Sequence, residues 1–123
     1  MFINVGNRLV SILYISTISK VEEDNNYKVE YKLGNGVKLY DEFDNSSDRD
    51  AKYNEIFEYL LGCGPFITVN DVLRNVMFFT SIQVEDNKLK YYNVPGNYIE
   101  ESFSSQADLE DKLKEIKDTY IGA

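Results

Sequence analysis

Ile12-Leu13-Tyr14-Ile15-Ser16-Thr17-Ile18 returns further along the chain as Val76-Met77-Phe78-Phe79-Thr80-Ser81-Ile82. Four apolar residues fall on apolar residues, two hydroxyls on two hydroxyls, and isoleucine on isoleucine. The same shift of 64 places Phe2-Ile3-Asn4-Val5 on Phe66-Ile67-Thr68-Val69 and Asn7 on Asp71. Towards the end of each copy the matching shift is 60: Phe43 meets Phe103, Asp48 meets Asp108, Lys52 meets Lys112, Glu55-Ile56 meets Glu115-Ile116, and Gly62 meets Gly122. The four-residue change falls near the acidic stretch Glu22–Asn26, where a shortened loop is expected, because surface connections tolerate length changes. Matches in a constant order with one gap mark an internal repeat. The chain therefore divides at sequence level into 1–62 and 63–123. A module of about sixty residues is marginal alone, so the two copies are expected to pack as one unit.

Working outward within one copy, Phe2–Val5 predicts a short strand and Ile12–Val21 a longer one. Tyr27-Lys28-Val29-Glu30-Tyr31-Lys32-Leu33 alternates apolar and polar, the pattern of a half-buried strand. Gly34-Asn35-Gly36 predicts a type I′ hairpin turn into a partner strand, Val37–Phe43. Pro95-Gly96-Asn97 occupies that place in the second copy and suits a type II turn. Each copy then closes with a helix. Ser47 before Asp50 and Ser105 before Asp108 resemble capping boxes with Asp in place of Glu. Leu109, Leu113, Ile116 and Tyr120 form one apolar stripe; Tyr53, Ile56 and Leu60 match it in the first copy, where Arg49 stands for the leucine. Gly62-Cys63-Gly64-Pro65 predicts the break between copies. The expectation is an α+β fold: a duplicated ββββα module, antiparallel sheets, one helix per repeat, and a pseudo-two-fold relation.

That order of elements resembles the tandem ββββα repeats of PUR-type single-strand-binding proteins. The likeness covers the whole chain in topology and rests on no specific motif. It implies intertwined repeats with curved sheets, and single-stranded nucleic acid as a ligand. No residue role is carried over from it.

Composition narrows the chemistry. The 123 residues carry a net charge of −8 and no histidine. The acidic excess is even, with 7 Lys/Arg against 11 Asp/Glu in residues 1–62 and 6 against 10 in 63–123. Duplex binding needs several cations facing phosphates, and the three arginines (Arg8, Arg49, Arg74) supply few. One cysteine, Cys63, excludes an intrachain disulfide and reads as a linker residue. The N-terminal residues lack a signal-peptide pattern, and no apolar run approaches the roughly 18 residues of a membrane span; a cytoplasmic protein is expected. Without histidine there is no imidazole base and no His-ligated zinc. Phosphate-loop, dinucleotide and nucleophile-elbow motifs are absent. Neither an enzyme nor a cofactor is expected.

Two sets of residues remain as candidates. Asp41 and Glu101 occupy an inward phase of their strands at related positions. Such carboxylates could bind a cation or act as an acid/base pair, or could be edge-strand charges that discourage edge pairing. Tyr40, Tyr92 and Tyr98 fall on the outward phase near Lys38 and Lys90, with Lys32 and Lys88 close by, while Tyr27, Tyr31 and Tyr91 fit the core phase. Exposed tyrosines beside lysines could be ordinary strand composition, anchors for a protein partner or stacking platforms for bases. The acidic run from Asp41 through Asp44, Asp48 and Asp50 lacks EF-hand spacing and reads as a loop leading into a helix N-terminus; a phosphate mimic is the alternative. The resulting expectation is a non-catalytic, acidic interaction protein whose partner is a protein. One specific form is an inhibitor of a nucleic-acid-handling protein, encoded by a phage or mobile element. The alternative is a PUR-like single-stranded nucleic-acid binder. Duplex DNA and membranes are not expected partners, and the sequence does not set the oligomeric state.

Overall fold

The computed structural model describes residues 2–63, 65–93 and 97–120, without the side chains of 61–63 and 119–120. The fold is α+β, with antiparallel sheets and two helices. It divides into two compact units, Met1–Val76 and Met77–Ala123. No helix among the described residues is long and apolar enough to cross a membrane.

The first unit holds β1 (Phe2–Val5), β2 (Arg8–Ser11), β3 (Ile15–Glu23), β4 (Asn26–Leu33), β5 (Lys38–Phe43), α1 (Ser46–Cys63), β6 (Phe66–Val69) and β7 (Val72–Asn75). Strands β1 and β2 form a separate hairpin, and the others form a five-stranded sheet in the order β5-β4-β3-β7-β6. The pairing of β7 with β3 sets Arg74 opposite Thr17 and Leu73 opposite Ile18. The core gathers Ile15, Ile18, Val29 and Tyr31 from β3 and β4, Tyr53, Ile56 and Leu60 from α1, Phe66 and Leu73 from β6 and β7, and Ile3, Val5 and Val10 from the hairpin. The α1 stripe read from the sequence is thus a buried face. Arg49, which interrupts it, lays its guanidinium over the Tyr27 ring at 5.3 Å and donates to the Val21 carbonyl.

The second unit holds β8 (Phe79–Glu85), β9 (Lys88–Asn93), β10 (Tyr98–Ser102) and α2 (Gln106–Tyr120). Its sheet order is β10-β9-β8. Leu89 and Tyr91 on β9 and Leu109 and Ile116 on α2 are buried.

Several sequence expectations need correction. Among the described residues, each half of the chain carries five strands and a 3₁₀ turn rather than four strands, because Arg8–Ser11 and Val72–Asn75 form strands of their own. The predicted break at Gly62-Cys63 lies inside α1, which runs to Cys63; a single glycine costs only about 1 kcal/mol in a helix. Gly64 and Pro95-Gly96 lie outside the described residues. The compact units part after Val76, since β6 and β7 join the sheet that holds β3. At Gly34-Asn35-Gly36 only Gly36 has positive φ (+88°). Gly36 N–H donates to the Leu33 carbonyl and Leu33 N–H to the Val37 carbonyl, so this is a three-residue loop ending in a left-handed glycine rather than a type I′ pair.

The expected loop shortening is likewise placed elsewhere. The turns Asp24-Asn25 and Asp86-Asn87 are both two residues long. The arms change instead: β3 has 9 residues and β8 has 7, while β4 has 8 and β9 has 6. Removing two residues from each arm preserves which side chains face inward, because strand side chains alternate with period 2. The helix caps differ too. At α1 the cap is Asn45, whose Oδ1 accepts Asp48 N–H at 2.8 Å, two residues before the predicted Ser47. At α2, Ser105 Oγ accepts Asp108 N–H at 3.2 Å as expected.

Candidate interaction surfaces on the two sheets

The inward carboxylates are each taken up by a tyrosine of their own sheet. In the β4–β5 ladder, Tyr31 faces Leu39 and Val29 faces Asp41, so Tyr31 and Asp41 are diagonal neighbours. Tyr31 Oη donates to Asp41 Oδ2 at 2.7 Å. In the β9–β10 ladder the same diagonal joins Tyr91 and Glu101, and Tyr91 Oη donates to Glu101 Oε1 at 2.6 Å. Burial first, and the hydrogen bond to a carboxylate second, push both phenols well above the ordinary 10.0. Asp41 also holds a turn in place. Its Oδ1 accepts Gly6 N–H at 2.6 Å, tying the β1–β2 turn, where Gly6 adopts φ +58°, to the edge strand β5. Strand alternation alone puts both tyrosines in the core phase and both carboxylates inward; the ladder register that makes them neighbours is not written in either strand. No group of three or more potential metal ligands occurs among the described residues.

This geometry carries a prediction. Asp41→Ala leaves a buried phenol and a turn amide without their acceptor, at an expected cost of about 1–3 kcal/mol. Urea denaturation of Asp41→Ala against Asp41→Asn checks it, because asparagine keeps an acceptor and should recover part of the loss.

The outward tyrosines form two separate groups. On β4 and β5, Tyr40 lies opposite Glu30 and donates to it at 3.3 Å. Lys38 pairs with the same Glu30 at 3.7 Å. Lys28 pairs with Glu42 at 3.7 Å and sits 5.0 Å from the Tyr40 ring centroid. On β9 and β10, Tyr92 lies opposite Tyr98, their rings 5.2 Å apart and tilted by 46°. Tyr92 Oη donates to Gln83 at 2.9 Å. Lys90 stands 4.9 Å from the Tyr98 centroid and pairs with Glu85 at 2.8 Å. That hydrogen-bonded pair raises the lysine pKa and lowers the glutamate's. Lys88 pairs with Glu100 at 3.5 Å. Tyr98 is 49% exposed and Tyr40 39%, so each group keeps an aromatic face in water. Tyr92, Tyr98 and Lys90 are therefore brought together on one sheet, and Tyr40 and Lys38 share another through Glu30.

The shape built this way has a solved counterpart. The fold is like that of the LytTr DNA-binding domain of a putative methyl-accepting/DNA response regulator from Bacillus cereus. The match has a TM-score of 0.54 and covers 92% of this chain and 94% of that one, at 14% identity. At that identity the likeness concerns the fold alone. No protein-family model matches the chain, and no curated protein matches it.

Proposed function

We propose that this chain is a non-catalytic interaction module that engages a protein partner through the exposed tyrosine faces of its sheets. The observation that carries the reading is the pairing of the lysines around those tyrosines. Lys28, Lys38, Lys88 and Lys90 each already hold a carboxylate. Backbone binding to nucleic acid draws its affinity from cations that neutralise phosphates, and lysines held by Glu30, Glu42, Glu85 and Glu100 are poorly placed to do so. Tyrosine, by contrast, contributes a large amphipathic contact at protein interfaces. The net charge of −8 favours a basic or neutral partner. It is also what supports the specific form of an acidic inhibitor, from a phage or mobile element, acting on a nucleic-acid-handling protein. The recurrence of strand-strand-strand-strand-strand-helix, with a tyrosine–carboxylate bond at matching positions, supports descent from a duplicated module.

The second reading is a single-strand nucleic-acid binder, favoured by the likeness to a LytTr DNA-binding domain and by the close Tyr92–Tyr98 pair, since base stacking on aromatic rings is worth about 1–3 kcal/mol per base.

Titration with fluorescein-labelled oligonucleotides at low salt, beside affinity capture from the native host with mass spectrometry, separates the two. The protein reading expects a captured protein that is lost with Tyr98→Ala, and no oligonucleotide binding. Salt-sensitive oligonucleotide binding that falls about tenfold or more with Tyr92→Ala or Tyr98→Ala would replace it with the second reading.

A further inference from the structure

We infer that the chain associates head to tail with a second copy of itself, the β1–β2 hairpin of one copy adding to the β8 edge of the next. One joint of this kind exists within the chain and supplies the pattern. At a shift of 64, the ladder of hairpin β6–β7 repeats that of hairpin β1–β2. Phe66↔Asn75, Ile67↔Arg74, Thr68↔Leu73 and Val69↔Val72 stand where Phe2↔Ser11, Ile3↔Val10, Asn4↔Leu9 and Val5↔Arg8 do. Strand β8 matches β3 at the same shift. Each pairs with the strand after it, and each breaks register at one place, between Ile15 and Thr17 or between Phe79 and Ser81. Hairpin β6–β7 adds to β3 with Arg74 opposite Thr17 and Leu73 opposite Ile18. The matching hairpin and the matching edge are both left over: among the described residues β2 is hydrogen-bonded only to β1, and β8 only to β9.

Both surfaces carry what the joint requires. Phe2 and Leu9 are exposed where Phe66 and Leu73 are buried. Ile3, Val5 and Val10 anchor the hairpin in the core, and Asp41 holds Gly6. The free edge of β2 is thus presented in a fixed position, which lowers the ordering cost of binding. On the receiving side, Ile82 is half-buried where Ile18 is fully buried, and Val84 is exposed. Sheet edges open to water are normally protected by charge or proline. The other edge of this sheet, β10, has Glu100 and Glu101, but Phe79–Val84 has neither a charge nor a proline. In this it matches Ile15–Ser19 of β3, an interior strand. A cavity of about 440 Å³ adjoins Val84 and is lined also by Leu109, Leu113 and Lys117. Leu113 corresponds to Tyr53 at the shift of 60, and Tyr53 Oη donates to the Asp71 carbonyl, in the β6–β7 turn, at 3.4 Å. The cavity is where the matching turn, Gly6-Asn7, would seat.

Register and charge complete the match. With β2 placed on β8 as β7 lies on β3, Leu9 falls opposite Ile82 and Val10 opposite Ser81, and the next pair is Arg8 with Gln83. Arg8 is exposed and makes no ion pair among the described residues. Its diagonal neighbour in that register is Glu85, within reach of a long side chain and already holding Lys90. A cation on the hairpin thus meets a carboxylate on the receiving edge. Because the two surfaces differ, the contact is heterologous, closing a ring or extending a row.

Sedimentation velocity of the full chain, from about 10 µM to about 1 mM as suits a small contact, tests the joint. Salt at about 0.15 M screens the repulsion between acidic copies. The mass is expected to rise with concentration above that of one chain. Leu9→Glu on the hairpin and Ile82→Glu on the edge should each weaken association about tenfold or more, because each sets a charge inside an apolar contact. Val84→Glu, at an exposed position, serves for the edge if circular dichroism shows that Ile82→Glu disturbs the fold. A hairpin variant mixed with an edge variant regains one intact joint, so the mixture should form a 1:1 complex and nothing larger. The joint is overturned by a mass that stays at one chain throughout, by association that Leu9→Glu leaves unchanged, or by a mixture that associates no better than its components.

Discussion

Leu73→Ala is expected to lower the free energy of unfolding by about 2–5 kcal/mol, whereas Leu9→Ala, the same substitution at the matching position of the first hairpin, should change it by about 0.5 kcal/mol or less. The two leucines occupy equivalent places in β7 and β2, opposite Thr68 and Asn4. Their surroundings differ completely: Leu73 is 0% exposed and Leu9 is 69% exposed. Phe66 and Phe2 show the same contrast, at 0% and 59%. Strand β7 is hydrogen-bonded to β3, so its Leu73 is set beside Ile18 within the core. Hairpin β1–β2 is a two-stranded sheet that buries Ile3, Val5 and Val10 and turns Phe2 and Leu9 outward. A net stability of about 5–15 kcal/mol is usual for a domain, so the Leu73 substitution removes a large share and the Leu9 substitution a trivial one. Paired urea titrations with unchanged slopes measure the difference; equal losses would mean that Leu9 is covered in solution.

Raising the pH above 10 should destabilise the fold, through Tyr31 and Tyr91. Both have folded-state pKa values above the ordinary 10.0. A group whose folded pKa is raised contributes its full stability below the unfolded pKa and loses it as the pH climbs towards the folded value. From pH 10 upward each ring therefore contributes a loss of up to about 1.4 kcal/mol per pH unit. Both rings are fully buried, so solvent screening does little to reduce this. Tyr53, also raised by burial first, acts in the same direction. Below pH 10 these groups add no pH dependence. The double variant Tyr31→Phe, Tyr91→Phe removes both phenols and should flatten the alkaline limb, while losing about 0.5–1.5 kcal/mol per hydrogen bond at neutral pH. Thermal unfolding between pH 8 and pH 12 reads both effects. An alkaline limb as steep in the double variant as in the parent would show that the titrating groups lie elsewhere.

The sequence by itself determined the elements that depend on local pattern. Period-2 alternation placed Tyr31 and Tyr91 inward and Tyr40, Tyr92 and Tyr98 outward. The 3.6-residue stripe marked Tyr53, Ile56, Leu60, Leu109 and Ile116 as helix face, and Ser105 marked the cap of α2. The recurrence of Ile12–Ile18 at Val76–Ile82 predicted a recurring order of four strands and a helix, where the described residues hold five strands and a helix in each half. Tertiary structure decided the rest, for reasons that are not local. Which strand lies beside β3 is a choice among several apolar edges, and it fell to β7; that choice buries Leu73 and sets Arg74 in line with Thr17 and Lys32. Which carboxylate meets which phenol depends on ladder register, set between β4 and β5 by the glycine-ended loop at Gly34-Asn35-Gly36, and the registers of the two ladders turned two free-looking carboxylates into hydrogen-bond acceptors. The likeness of Ile12–Ile18 to Val76–Ile82 is thus legible in sequence. The two segments have different surroundings because burial is a property of neighbours, and β3 has one in β7.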